Sequence, residues 1–552
     1  MLLVILAFPA FAEETFSGKS FYFGDIHSHT GASGDAGASD LGSCSSGACG
    51  AVASYIDTAL ANQLDFVGTV DHINNSGAGD PDAAAFDSVF QMVNAADQAG
   101  LVTLPGAEIF FEVGGAQLGH KSLLMFGDQD ALATAGYSDL LGSDPQTNEV
   151  ADCAAITSFM DGLQARFGPA LLIPHHPGVK KPMPTDWACH DLAWGPAVEA
   201  WSEHGSSMDA SWTWDPPWSG WADSGSVLSA LESGLALGVA GGTDNHDTHP
   251  GQVCGLDSIR TEHWYSGALT AVVLDEGASF DRNAIYEAFV NRKTYLTTGP
   301  QLPVRAQFDV ASGASLNMGD ALDTYTAAEG DIVVTITFPA ERDTEVIEVI
   351  VHGAAETYWE ATRVAAGEYA ATVPAAEING FLVPHLVLDG SRWWGEASCD
   401  DGYENYGAGG SEDGLEHVVL SPSFFGTVTP PADKDGDGFS QEEGDCNDDN
   451  PAVYPGAPED CESPKDEDCD GLVEADPDCL DTGDGDADTD SDTDTDTDSD
   501  GDTDTDTDTD TDTDGDTADT GEAPGDDCGC DEGSGLLLPA LGLLAFRRRG
   551  RR

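Results

Sequence analysis

Positive charge is what this sequence has least of: 20 Lys+Arg stand against 100 Asp+Glu, a formal net charge of −80 over 552 residues. A surface of that sign repels nucleic-acid backbones and anionic membranes, so a nucleic-acid-binding surface is excluded and divalent cations become the natural counter-ions. The imbalance is uneven. After residue 430 lie 42 acidic and 7 basic residues, leaving 58 and 13 before it. Long apolar runs are missing too. The run from Gly535 to Phe546 has 12 residues, against the roughly 20 that span a bilayer, and it leads into an arginine cluster. A sorting signal that touches the membrane only until it is cleaved accounts for that brevity better than an anchor does. Cysteine is sparse, at 12, and an even number in an exported chain points to disulfides rather than free thiols.

What is present is a clear order of segments. "MLLVILAFPAFAEE" is an apolar run ending in the small-x-small pattern Ala10-Phe11-Ala12, which reads as a secretory signal over residues 1–12 and predicts an exported protein, secreted or held at the cell surface. Residues 20–305 alternate short apolar runs ("SFYFGDI", "LDFVGTV", "LVTLPGAEI", "KSLLMFG", "ALLIPHH", "AVEAW", "ALGVAGG") with helix-like stretches such as "GAVASYIDTALANQ" and "DAAAFDSVFQMVNAADQAG". That pattern predicts an α/β domain built on a parallel sheet or a barrel, with ligands at the C-terminal ends of the strands. Residues 306–428 switch to period two ("DIVVTITF", "EVIEVIVHG", "FLVPHLVLDG"), the mark of a small antiparallel β-sandwich. Residues 433–479 are rich in Asp and Cys. Residues 481–527 are largely Thr-Asp and Ser-Asp repeat, an acidic tail that cannot bury a core and is expected to be disordered.

The chemistry gathers at strand ends. "GDIHSHTGASGD" holds His27, His29 and, six residues on, Asp35. "VGTVDH" ends an apolar run with Asp71 and His72, "PGAEI" supplies Glu108, and "GHKSLLMF" begins with His120. "LIPHHPG" carries His175 and His176, and "GGTDNHDTHPG" carries Asp244 and His246. Eight of the 14 histidines fall in these stretches, which isolated core histidines would not do. Imidazoles mixed with carboxylates, and no cysteine among them, suit zinc, manganese or iron and argue against a structural thiolate site. There are more candidates than one ion can hold, so a two- or three-metal cluster is expected. Such clusters lower the pKa of a bridging water and clamp the attacking and leaving oxygens of a displacement at phosphorus.

In this order the motifs resemble the PHP family of metal-dependent phosphoesterases, in particular large PHP-like proteins that open with a "YFGDIHSHT"-type motif. The resemblance covers about residues 20–305 and implies a distorted seven-stranded β/α barrel, (β/α)7. It implies three metal sets: His27, His29, Glu108 and Asp244; Asp35, His72 and His246; and Glu108, His120 and His176, with His175 competing for the place of His176. Glu108 as the bridging acid, with Asp35 and His72, is then expected to carry catalysis by a metal-bridging hydroxide on a small-molecule or oligomeric phosphoester. His204 in "WSEHG" and His249 are read as donors behind the ligands, proton shuttles or surface residues, with the last two favoured equally. Lys121, Lys180, Lys181 and Arg260 are read as solvated surface cations, so the metals themselves would attract an anionic substrate.

"DKDGDGFSQEEGDC" aligns Asp433, Asp435, Asp437 and Gly438 with positions 1, 3, 5 and 6 of a calcium loop, but Gly444 stands where the loop's bidentate Glu belongs. With "DCNDDNPAVYPGAPEDC…DEDCDG" the 433–479 stretch resembles a cysteine-flanked metal-binding repeat of secreted bacterial proteins and is expected to bind calcium. Residues 528–552 resemble myxobacterial C-terminal sorting tails, implying a sorting protease as partner and only transient membrane contact. Two other functions stay open at this point: a non-catalytic surface or adhesion protein with a structural metal cluster, and a metallohydrolase of a non-phosphate ester or amide.

Overall fold

The computed structural model describes residues 14–33, 51–73, 83–97, 100–114, 116–140, 149–180, 183–209, 220–246, 248–251, 267–389 and 415–426, with the single positions 453, 457 and 469. The signal expected at 1–12, the candidates Asp35, Asp433, Asp435 and Asp437, the cations Lys181 and Arg260, and the segments 481–527 and 528–552 lie outside the described residues.

Each of the seven apolar runs contains a strand: β1 (Lys19–Ser28), β2 (Phe66–Thr69), β3 (Val102–Val113), β4 (Ala116–Met125), β5 (Ala170–Pro174), β6 (Ala197–Ser202) and, after the short β7 (Gly205–Ser206), β8 (Gly238–Gly241). Helices α1 (Ala51–Ala61), α2 (Ala83–Ala95) and α3 (Cys153–Phe167) link several of them. Helix α2 buries Phe86, Val89, Phe90 and Val93 at helical spacing. Asp152 caps α3 by accepting from the Ala155 N–H, and a disulfide joins Cys153 at its start to Cys189.

The main sheet is mixed rather than parallel throughout. β1, β2 and β3 run parallel, whereas β4 is antiparallel to both β3 and β5. The reason is local: Val113 pairs with Ala116, and a turn that short closes a hairpin and cannot carry a crossover. β6 and β8 pair parallel to each other. A bridge between Ser28 and Asn245 then sets the end of β8 beside the end of β1. The C-terminal ends of β1, β2, β5, β6 and β8 therefore meet beside the middle of β3, where Glu108 bridges to His72.

Beyond them, β9 (Leu269–Asp275), α4 (Arg282–Val290) and β10 (Thr294–Thr297) return the chain to β1. Arg282, one of the scarce cations, is buried under α4 and donates to Thr103 O, Asn94 Oδ1 and Gly127 O at 2.8–2.9 Å. The later strands β11 (Arg305–Val310), β12 (Ser315–Asn317), β13 (Ile332–Thr337), β14 (Val346–His352), β15 (Thr362–Ala365), β16 (Glu368–Val373), β17 (Gly380–Asp389) and β18 (Leu415–Leu420) are antiparallel where they pair. Five of them form a separate sheet in the order β12-β11-β13-β16-β15. Its apolar face, with Phe308, Ile332, Val334 and Val373, packs on Val349, Val351, Leu386 and Val418 of β14, β17 and β18. β18 also pairs with β10, Tyr295 opposite Leu420, so one hydrogen-bonded sheet runs across the domain boundary expected at residue 305.

A row of imidazoles crosses β14, β17 and β18. His352 Nε2 lies 3.2 Å from His385 Nδ1, and His385 Nε2 lies 3.1 Å from His417 Nδ1. Burial lowers the His352 pKa to about 3. The unfolded chain, with an ordinary imidazole near pKa 6.5, then binds the proton more readily, so this group's stabilisation is full above about pH 6.5 and drains as pH falls toward 3. Stability is expected to fall by up to about 1.4 kcal/mol per pH unit from this residue alone. Urea unfolding between pH 7 and 5 checks it: His352→Gln should show a shallower pH slope than wild type, and equal slopes refute it.

Candidate metal centre

Side chains on and just past the strands converge here, all buried except the half-buried His120. His27 and His29 sit at the end of β1, His72 just past β2, Glu108 on β3, His120 on β4, His175 and His176 just past β5, and Asp244 and His246 just past β8. β-Register explains the middle of the set: Glu108 pairs with Ser122 and Phe110 with His120, so Glu108, His120 and Ser122 share one face of the β3–β4 hairpin.

Two carboxylates organise the imidazoles. Glu108 Oε2 lies 3.3 Å from His27 Nε2, 3.4 Å from His29 Nε2 and 3.4 Å from His72 Nδ1, while its Oε1 meets His120 Nδ1 at 2.5 Å. Asp244 presents Oδ1 to His27 Nε2 at 3.3 Å and His29 Nε2 at 3.1 Å, and Oδ2 to His175 Nε2 at 3.2 Å and His204 Nε2 at 3.0 Å. Glu108 Oε2, Asp244 Oδ2 and His176 Nδ1 are buried and make no hydrogen bond. Lone pairs aimed at a common centre rather than at one another's protons are the donor pattern of a cation site.

Potential ligand atoms gather within 4.8 Å of one another in several sets: His27, Glu108, His175 and Asp244; His29, His72 and His246; Glu108, His120 and His176; His175, His176 and His204; and Glu203, His204 and Asp244. Set against the resemblance, Glu108, His120 and His176 come together. His29 joins His72 and His246, in the set where Asp35, outside the described residues, was expected. Both histidines of the doubled pair face the site: His175 joins His27, Glu108 and Asp244, His176 joins Glu108 and His120, and the two share a further set with His204. His204 is 6% exposed, so the surface reading of that residue is overturned; the hairpin β6–β7 turns it inward. His249 is only half-buried, and its N–H donates to Asn245 Oδ1.

The shell around the ligands is built from buried acids, of which the sequence reading singled out Asp71 alone. Glu199, inside "AVEAW", accepts from both His27 Nδ1 and His175 Nδ1 at 2.9 Å. That places a proton on each Nδ1 and turns each Nε2 toward the centre. Burial disfavours charge on His27, yet Glu199 and Asp244 outweigh it and hold its pKa well above the usual range. Burial also opposes ionisation of Glu108, but His72 and His120 pull its pKa well below the usual carboxylate range. Asp71 is no ligand: it accepts from Thr30 N–H, Thr30 Oγ1 and Ser33 N–H and clamps the loop after β1. Asp25 clamps the loop after β8 in the same way, through the N–H groups of Thr243 and Gly251. His176 and Asp244 both hold left-handed backbone, at φ 34 and 56, a conformation that costs of order 1–3 kcal/mol and collects at functional sites.

Lys121 departs from its reading as a solvated cation. Strand alternation turns it away from His120, and it is buried, with its pKa lowered to about 8 by desolvation. Lys180 is exposed.

Residues 445–475 match the Cu-binding MopE family, described as a "putative metal-binding motif". Val453 and Ala457 within that stretch are buried, and Cys469 is disulfide-bonded. No curated protein and no solved structure matches the chain.

Glu199→Gln keeps the volume but cannot accept from both imidazoles as a carboxylate does. Metal affinity of the main cluster is expected to fall about 10–100-fold, read by zinc competition titration; unchanged affinity refutes the orienting role. Gly242→Ala tests the same wall sterically. An added Cβ would lie 2.5 Å from His27 Cβ, so it should lower both the melting temperature and the zinc content.

Proposed function

We propose that the chain is an exported metal-dependent phosphoesterase of the PHP type, with two or three divalent transition ions (zinc, manganese or iron) in the cluster at the strand ends. The observation that carries this reading is the convergence of seven imidazoles, those of His27, His29, His72, His120, His175, His176 and His246, on the two buried carboxylates of Glu108 and Asp244. A distorted barrel of the PHP kind is supported by the meeting of β8 with β1 at Ser28 and Asn245. It is supported also by the parallel course of β1, β2 and β3.

When bound, ions at such a cluster supply Lewis acidity and bring a bound water's pKa close to neutrality. The chain's own residues do the rest. Glu108 divides its two oxygens between His120 on one side and His27, His29 and His72 on the other, which suits a bridging acid. Glu199 fixes the tautomers of His27 and His175, and Asp25 and Asp71 hold the loops that frame the pocket. No side-chain nucleophile is required. With so few Lys and Arg residues, attraction of an anionic substrate falls to the cations rather than to a basic surface. The metal-binding repeat downstream is assigned to calcium, with Asp433, Asp435 and Asp437 as ligands, and export to the cell surface is part of the same proposal, supported by the composition of the two terminal segments.

Two measurements bear on this. Glu108→Gln should abolish turnover of a chromogenic phosphoester by the manganese-, zinc- or iron-loaded chain while leaving its near-ultraviolet circular dichroism intact; surviving activity sinks the bridging role. Asp435→Asn should remove a calcium-binding event seen by calorimetry in the wild-type chain. Identical isotherms, or a preference for copper over calcium, defeat the calcium assignment.

A further inference from the structure

The two residues at the tip of a tight hairpin ordinarily face solvent. In the β6–β7 hairpin they do not. Ser202 pairs with Gly205, which makes Glu203 and His204 the turn, yet they are only 4% and 6% exposed. Gly205 supplies the left-handed conformation, at φ 93, that lets the chain reverse there. The tip is fastened to the strand that carries a ligand: the Glu203 N–H donates to Thr243 O at 3.2 Å, one residue before Asp244. The His204 N–H donates to Ser202 Oγ at 3.2 Å. A backbone hydrogen bond thus ties the hairpin tip to the segment that carries Asp244.

What the tip delivers is a donor set. His204 Nε2 stands 3.0 Å from Asp244 Oδ2, and Glu203 Oε1 stands 3.5 Å from His246 Nδ1. One donor atom from each of Glu203, His204 and Asp244 falls within 4.8 Å of the others. Asp244 Oδ2 also meets His175 Nε2 of the main cluster at 3.2 Å and its Oδ1 faces His27 and His29, so this carboxylate stands between the cluster and the hairpin tip. Two carboxylates desolvated side by side repel each other at considerable cost, which a divalent ion between them offsets.

We propose that Glu203, His204 and Oδ2 of Asp244 form an additional divalent-cation position, beyond the sets that the PHP resemblance assigns. Asp244 bridges it to the main cluster. Two carboxylate oxygens and one imidazole suit manganese or zinc. The inference rests on the polynuclear reading above and extends it: a further cation beside the cluster would add the anion attraction that this acidic chain draws from so few basic side chains.

The test uses the full chain, stripped of metal and titrated with zinc against a chromophoric chelator strong enough to outcompete weak sites in the acidic tail. Tight equivalents are counted for wild type, Glu203→Gln and Glu203→Gln/His204→Asn, with near-ultraviolet circular dichroism as the check on folding. Both variants should lose one tight equivalent and keep the rest. Glu203→Gln is nearly isosteric, so a folded protein is expected even where the double variant is impaired. Equal counts in wild type and Glu203→Gln overturn the proposal, as does loss of every equivalent together from folded Glu203→Gln. A wild-type chain with no tight zinc overturns the polynuclear reading itself, a result distinct from either.

Discussion

Asp25, Asp71, Glu108, Glu199, Glu203 and Asp244 are all buried around one pocket, and ionised carboxylates taken out of water cost several kcal/mol each unless something compensates them. That single constraint orders the rest of the molecule. Some of these acids are compensated by backbone: Asp25 and Asp71 take N–H groups from the loops they hold. Glu199 is compensated by two ring protons. Glu108 and Asp244 are compensated in part by imidazoles, through His120 and His29, and each keeps one buried oxygen outside the hydrogen-bond network, where a cation would complete the balance. The strained backbone at His176 and Asp244 is tolerated because the surrounding hydrogen bonds determine those positions several times over.

The same division separates what holds the pocket from what it is for. Residues that pair with backbone or with a ring Nδ1 set shape and tautomer; residues whose second atom is left for the centre set chemistry. His27 belongs to both groups, since Nδ1 is committed to Glu199 while Nε2 faces Glu108 and Asp244. The hairpin carrying Glu203 and His204 is joined to this arrangement through Thr243.

The candidate ligands of the main cluster were readable because each stands at the end of an apolar run, where composition changes abruptly from Val, Leu and Ile to His, Asp or Glu. The strands were readable for the same reason. Glu199 was hidden inside such a run, where one acid in "AVEAW" looks like the polar edge of a strand. Glu203 was hidden, and the inward course of His204 beside it, because a two-residue turn carries no periodicity and polar turn residues are ordinarily solvated. Which of two adjacent histidines points inward could not be decided from spacing, and here both do, helped by the left-handed backbone of His176. Strand direction was equally silent. Apolar alternation in β4 is the same for either sense of pairing, and only the short turn before it makes the strand antiparallel. The domain boundary at 305 followed a true change of pattern, but hydrogen bonds between distant segments, such as β10 with β18, leave no trace in local composition.

That pairing has a consequence for how the two halves must be inherited. Were the chain to stop where its pattern changes, β10 would become an open border, with the N–H and C=O groups of Tyr295–Thr297 and the apolar flank of Leu296 bared. Such borders template edge-to-edge association between copies. The later strands therefore act as a permanent cover for the last seam of the half that carries the histidine cluster. A lineage that lost them would face clumping before it faced any loss of chemistry.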